Sequence, residues 1–328
     1  MKRAALFIAL SCIILSGCQG RHALVENKLQ SVNIALDDWV GYGIFYLAQE
    51  KGFCREEGID LNIVVEPLDS ARRDAFAQGM LDFEASCLDL LIAKAAQGVP
   101  LIMVMEIDRS FGGDAVVARK EIKSLSELLN RKIVLARDDA GENFIACVFY
   151  KNNLPFSSLK IIPSSPDGVA DEFLKGNADA CVTWEPQVSK ALGRSNTHIL
   201  INTKDYPGIV VDTLNARKDF TEKKPDLVKG LMRAWFKALA YYNDNPDESS
   251  KIISRYYDIS PAQYIQQVTG LKWNTYADQS NLSRHKEWSD VFNMIVEVKF
   301  SNGRISNKPK AEEYLNTSFL RSLYEDSE

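Results

Sequence analysis

Between residues 32 and 192, short apolar and β-branched runs alternate with stretches of helical spacing, and this alternation confines the chain to a strand–helix–strand architecture. Residues 32–36, 61–65, 83–87, 101–105, 132–136, 159–163 and 178–183 read as strands. Between them, 43–57 (closing at Gly58), 70–78 (capped by Ser70, stopped at Gly79), 90–97, 142–152, 169–174 and 186–192 read as helices. Ser124-Leu125-Ser126-Glu127 carries the capping-box pattern that opens a helix. Such alternation with short linkers predicts α/β units with mixed, mostly parallel sheets. The last third differs. Residues 226–242 place Leu227, Leu231, Trp235, Ala238 and Tyr242 on one helical stripe, and Asn245-Pro246 and Ser260-Pro261 each start a helix with Pro at its first position. The expectation is an α/β body followed by a helical cap.

The N-terminus points to a compartment. Lys2 and Arg3 precede an apolar stretch over 4–15, too short for a bilayer-spanning helix of roughly 20 residues but suited to a signal peptide. Leu15-Ser16-Gly17-Cys18 resembles a bacterial lipoprotein box, with small residues that admit the peptidase and a thiol that takes the lipid. Residues 1–17 are therefore expected as a signal peptide and 18–30 as a polar tether. The protein is expected in the periplasm or on the cell surface, anchored through lipidated Cys18. Gln19 in place of Asp leaves an outer-membrane destination open.

The remaining length suffices for two domains. The net charge is −5, more negative once Lys2 and Arg3 are removed, and no basic run or basic–aromatic stripe argues for nucleic acid. Cys54, Cys87, Cys147 and Cys181 form no close pair, which speaks against zinc or redox chemistry. They are either disulfide partners or buried small residues, and their apolar neighbours favour burial. His22, His198 and His285 pair with no Ser or Cys in a triad pattern, so no catalytic residue, metal or cofactor is expected.

Four stretches carry a family resemblance. They are Tyr46-Leu47-Ala48-Gln49-Glu50-Lys51-Gly52-Phe53 ahead of Glu57-Gly58-Ile59-Asp60-Leu61, Phe76-Ala77-Gln78-Gly79-Met80-Leu81-Asp82-Phe83, Gly112-Gly113-Asp114-Ala115-Val116-Val117-Ala118 leading to residues 122–128, and Gly176-Asn177-Ala178-Asp179-Ala180-Cys181-Val182-Thr183-Trp184-Glu185-Pro186. In this order, over about residues 31–275, the chain resembles the nitrate/taurine/sulfonate class of periplasmic solute-binding proteins, which includes thiamine-pyrimidine binders. The resemblance implies a type II periplasmic-binding-protein fold, α/β in class: two lobes, two crossing strands and a ligand clamped between. It places lobe 1 at 31–115 plus 212–315, lobe 2 at 119–206, and the crossings near 114–119 and 206–212. Glycines 112, 113 and 208 are either hinge positions or ordinary turns. The implied function is non-enzymatic capture of a small solute by a monomer that delivers it to an ABC permease and its ATPase. A sensor for a membrane signalling partner and an enzyme on the same fold are the alternatives.

Ligands of open α/β sheets sit beyond the carboxyl ends of the strands. Those ends supply Asp37, Asp38, Trp39, Gly41 and Tyr42; then Ser86, Cys87 and Asp89; then Arg137, Asp138, Asp139, Gly141, Glu142 and Asn143; then Thr183, Trp184 and Glu185; with Asp212 at the second crossing. The ligand-binding set expected is Asp38, Trp39, Tyr42, Ser86, Asp89, Asp138, Glu142, Trp184, Glu185 and Asp212. Arg109 and Arg137 are the nearby cations that the sequence offers. Tryptophan with carboxylates suits a cation or a nitrogen heterocycle, through cation–π stacking and charge-assisted hydrogen bonds. An amine-bearing or heterocyclic metabolite is therefore expected, with zwitterions such as taurine still allowed.

Overall fold

The computed structural model describes residues 29–66, 69–280 and 282–323. The expected signal peptide, the lipidation site Cys18 and nearly all of the tether lie outside the described residues.

Among the described residues, eleven strands form two sheets. They are β1 (Gln30–Leu36), β2 (Ile59–Val65), β3 (Phe83–Cys87), β4 (Leu101–Ser110), β5 (Asp114–Arg119), β6 (Lys132–Ala136), β7 (Lys160–Ser164), β8 (Ala180–Trp184), β9 (Thr197–Asn202), β10 (Val211–Arg217) and β11 (Leu271–Trp273). One sheet has the order β11-β4-β10-β3-β1-β2, the other β7-β6-β8-β5-β9. Most strands of each sheet share a direction. The reversed ones are β10 and β11 in the first and β5 in the second. Two of these, β5 and β10, directly follow the passages from one sheet to the other. A chain entering a sheet at the edge where parallel strands end must run back along it.

The passages are residues 111–113 and 203–210, and Asp114–Arg119 is itself a strand of the second sheet. Hydroxyls lash the two passages together. Thr203 Oγ1 lies 2.8 Å from Ser110 Oγ and accepts from Gly112 N at 2.7 Å, and Ser110 Oγ accepts from Asp114 N at 3.1 Å. Gly112 and Gly208 take φ values of +103° and +78°, which side chains rarely tolerate.

The C-terminal helices form as the stripe predicts. Leu227, Leu231, Trp235, Ala238 and Tyr242 are all buried along the helix Pro225–Asp244. Trp235 packs on Phe45 with ring centroids 4.5 Å apart, fixing this helix on Gly43–Glu50. Ser260 caps the helix Pro261–Val268 in a complete capping box. Other local expectations yield. The helix expected over 43–57 breaks at Gly52, whose φ of +78° stops Gly43–Glu50 before Phe53–Glu56 begins. Ser70 lies inside Asp69–Ala77 instead of capping it. The Ser124–Glu127 pattern opens only a single 3-10 turn, Leu125–Leu128, with Ser124 bonded to the Glu127 carboxylate and not to a backbone N–H. Cys54, Cys87, Cys147 and Cys181 are free and buried.

Candidate functional site

A cleft of about 390 Å³ opens where the two sheets present their facing edges. This lies within the range of small-molecule sites, roughly 300–1,000 Å³. The first sheet contributes Asp37, Asp38, Trp39 and Tyr42 beyond β1, Cys87 at the end of β3, and Asp212 at the start of β10. The helices Asp69–Ala77 and Leu88–Ala96 add Asp69, Arg72 and Leu90. The second sheet contributes Asp114 from β5, Arg137 to Ala140 beyond β6, Ser165 to Asp167 beyond β7, and Trp184 from β8. One tryptophan thus stands on each wall.

The turn that carries Trp39 and Tyr42 is held from behind. Asp37 Oδ1 accepts from Trp39 N at 3.0 Å, and three aromatic donors of the helical cap and β11 bond its carbonyls. Tyr257 OH donates to Trp39 O at 2.9 Å, Tyr264 OH to Val40 O at 3.4 Å, and Trp273 Nε1 to Gly41 O at 2.8 Å. Gly41 is required by close approach: a Cβ there would collide with the Asp108 carboxylate and the Trp39 indole. The helical cap and β11 therefore fix the backbone of the cleft turn, as a preorganised site needs.

Six of the ten expected residues line the cleft: Asp38, Trp39, Tyr42, Asp138, Trp184 and Asp212. The other four lie elsewhere, each for an identifiable reason. Ser86 is buried within β3 and accepts from Asn215 Nδ2 at 3.2 Å. Asp89 is fully buried and ion-pairs with Lys299 at 3.0 Å. Glu185 caps the next helix, accepting from Ser189 N at 3.0 Å and Ser189 Oγ at 2.9 Å. Glu142 stands behind the cleft loop. It accepts from Asp138 N at 2.8 Å, where Asp138 takes a left-handed φ of +55°, and from Arg137 and Arg304 at 2.5 Å each. It thus holds Arg137 and Asp138 in place.

The cations differ from those the sequence offered. Arg109 turns away to Glu106, at 2.5 Å, and to Glu287, and does not line the cleft. Arg72 does line it, though its guanidinium is committed to Glu84 at 2.9 Å, Asp69 at 3.2 Å and Asp37 at 3.8 Å. A signal for it was present. Glu84 in the middle of an apolar strand and Lys94 in an apolar helix are buried charges that require partners. Neither His198, bonded to Ile122 O, nor His285, stacked on Trp288, lines the cleft.

Electrostatically the site is lopsided: among the described residues, eight aspartates line it against two arginines. Desolvation pushes the carboxyl groups of Asp37, Asp38, Asp114, Asp139 and Asp212 up. Asp37 rises to about 6 despite Arg72, and Asp114 to about 7. Asp139, which accepts from Ala140 N at 2.6 Å, rises to about 8. Asp212 is raised well above its ordinary value, first by burial and then by the neighbouring Asp108. Such a lining is short of fixed positive charge.

Residues 40–249 match the model of the family described as "NMT1/THI5 like". The chain belongs to the NMT1/THI5-like family. Among its relatives are a formylaminopyrimidine-binding protein of Halalkalibacterium halodurans, 21% identical over 80% of this chain and 81% of its own. Another is a taurine-binding periplasmic protein of Escherichia coli, 22% identical over 69% of this chain and 71% of its own. The crystal structure of the periplasmic aliphatic sulphonate binding protein SsuA from Escherichia coli aligns at a TM-score of 0.74 and 14% identity, covering 88% of this chain and 92% of that one. The two-sheet architecture is thus the periplasmic-binding-protein fold, and these relatives are binding proteins. No described helix is long and apolar enough to cross a membrane.

Proposed function

We propose that this chain is a lipid-anchored extracytoplasmic solute-binding protein that captures a cationic amine or protonated nitrogen heterocycle between two lobes and passes it to an ABC permease and its ATPase. The two sheets are the cores of the lobes, and residues 111–113 and 203–210 connect them. One observation carries the solute class: eight aspartates and two tryptophans meet in a cleft whose arginines are already paired with carboxylates. Trp39 and Trp184 offer faces to a flat or cationic group, and the carboxylates accept its N–H donors. The names of two relatives agree with this choice, since an aminopyrimidine is a nitrogen heterocycle and taurine carries an amine. Cys18 supplies the anchor.

The test is mass spectrometry of the full chain purified in detergent under non-denaturing conditions. A single co-purifying small molecule with a basic nitrogen, recovered unaltered after incubation, is expected. Recovery of an anion without a basic nitrogen, or turnover of the bound molecule, would overturn the proposal.

A further inference from the structure

The antiparallel register of β10 on β4 sets Asp212, which lines the cleft floor, directly opposite Asp108, which is buried behind it. Asp108 is 0% exposed and Asp212 6%. Each has one neutral donor: Trp39 Nε1 reaches Asp108 Oδ2 at 3.3 Å, and Tyr42 OH reaches Asp212 Oδ1 at 2.6 Å. Neither has an ion-pair partner among the described residues. Arg109, next to Asp108 on β4, is bound to Glu106 and Glu287, and Arg72 is taken by Glu84, Asp69 and Asp37. The other charged groups facing the pair make matters worse, because Asp37 beyond β1, Glu106 on β4 and Asp114 at the start of β5 are all acids. Asp108 Oδ1 is also buried with no hydrogen-bond partner. An orphaned carboxylate oxygen beside a second buried carboxyl calls for an explanation, and a proton between them supplies it.

We propose that Asp108 and Asp212 together hold one proton when the cleft is empty, and that the cationic group of the solute takes its place, so that capture expels a proton. This rests on the cationic-solute proposal above and adds the exchange. The balance is simple. The pair with its proton carries one negative charge. The proton leaves to solvent as the cation arrives, and the loaded floor again carries one net negative charge. Two acids that share a proton titrate as a unit, and the upward displacement of Asp108 to about 8 agrees with a proton retained at neutral pH. A neutral solute of the same shape would leave the proton where it is, so the exchange selects for charge.

Two measurements on the full chain test this. The first is infrared spectroscopy of the ligand-free protein at neutral pH, reading the C=O stretch of protonated carboxyl groups. The double variant Asp108→Asn with Asp212→Asn should remove the intensity of one protonated carboxyl group, and each single variant no more than that one. No loss in the double variant, or a loss of two protons, would overturn the pair. The second is calorimetric titration with methylammonium, taurine and an aminomethylpyrimidine in two buffers of different ionisation enthalpy. About one proton should be released per bound amine, with affinity rising up to about tenfold per pH unit below the pair's apparent pKa, and Asp108→Asn should move the pH range over which the release occurs. Binding with no proton release would overturn the exchange. Failure of every amine to bind would sink the exchange together with the cationic-solute proposal, whereas the infrared result still decides the pair.

Discussion

Glu84 on β3 and Asp108 on β4 are separated only by β10 in the same sheet, and both are 0% exposed, yet they are treated oppositely. Glu84 sits among cations: Arg72 Nε at 2.9 Å and Lys94 Nζ at 2.9 Å, with Lys94 also 2.5 Å from Asp69. Asp108 faces Asp212 with an indole and a phenol for company. A buried charge matched by fixed partners is part of the architecture, and removing one member strands the others. A buried acid left unmatched costs stability and persists where something outside the chain completes it. The contrast separates the charges that hold the cleft from those assigned to the solute under the proposal.

The largest expected effect breaks the matched cluster. Glu84→Ala should cost roughly 3–5 kcal/mol in chemical denaturation, because Arg72 and Lys94 lose a buried counter-charge. Asp108→Asn should cost under about 1 kcal/mol or stabilise the fold, since it removes like-charge strain. Equal losses in both variants would erase the distinction. Next in size, Asp212→Asn should weaken solute binding by roughly 2–5 kcal/mol in calorimetry while leaving the melting temperature unchanged or higher. Trp39→Ala and Trp184→Ala should each weaken binding by about 1–2 kcal/mol, in line with a desolvated cation–π contact from each wall. A further effect is on pH. Asp37, Asp114 and Asp108 stand at about 6, 7 and 8, all above their unfolded values, so the folded chain holds protons that the unfolded chain releases. Their contribution to stability is fully present below about pH 4 and is lost as pH rises through roughly 6 to 8. Thermal melts across that window should show a falling trend in the ligand-free protein, shallower above pH 7 in Asp108→Asn.

The fold was legible because its signals are local. Apolar runs, helical stripes and proline starts mark the body over 32–192 and the helices after 225. Trp39, Tyr42, Trp184 and Asp212 were legible because they lie at or close to strand ends on the edge of each sheet that faces the cleft. Asp108 was not. The continuous apolar run ends at Met105, yet β4 continues to Ser110 through Glu106, Asp108 and Arg109, whose burial depends on partners far away in sequence: Asn274, Trp288, Trp39 and Asp212. Arg72 was hidden for a related reason, since Asp69–Ala77 reads as a solvated helix until Glu84 and Lys94 are seen beside it. The edge strand β9 escaped notice because most of its residues are only partly buried and its pattern never alternates cleanly. Asp89, Glu142 and Glu185 show the converse. An acid near a strand end is as readily a partner for Lys299, Arg137, Arg304 or Ser189 as a contact for a solute.

The most direct test of a cleft built for positive charge is one calorimetric comparison at neutral pH. Methylammonium, taurine and an aminomethylpyrimidine are titrated against nitrate and a simple alkanesulfonate lacking an amine. Binding is expected for at least one nitrogen cation, lost in Asp212→Asn, with no heat from the two anions. Tight binding of nitrate or the alkanesulfonate, with silence from every amine, would contradict it.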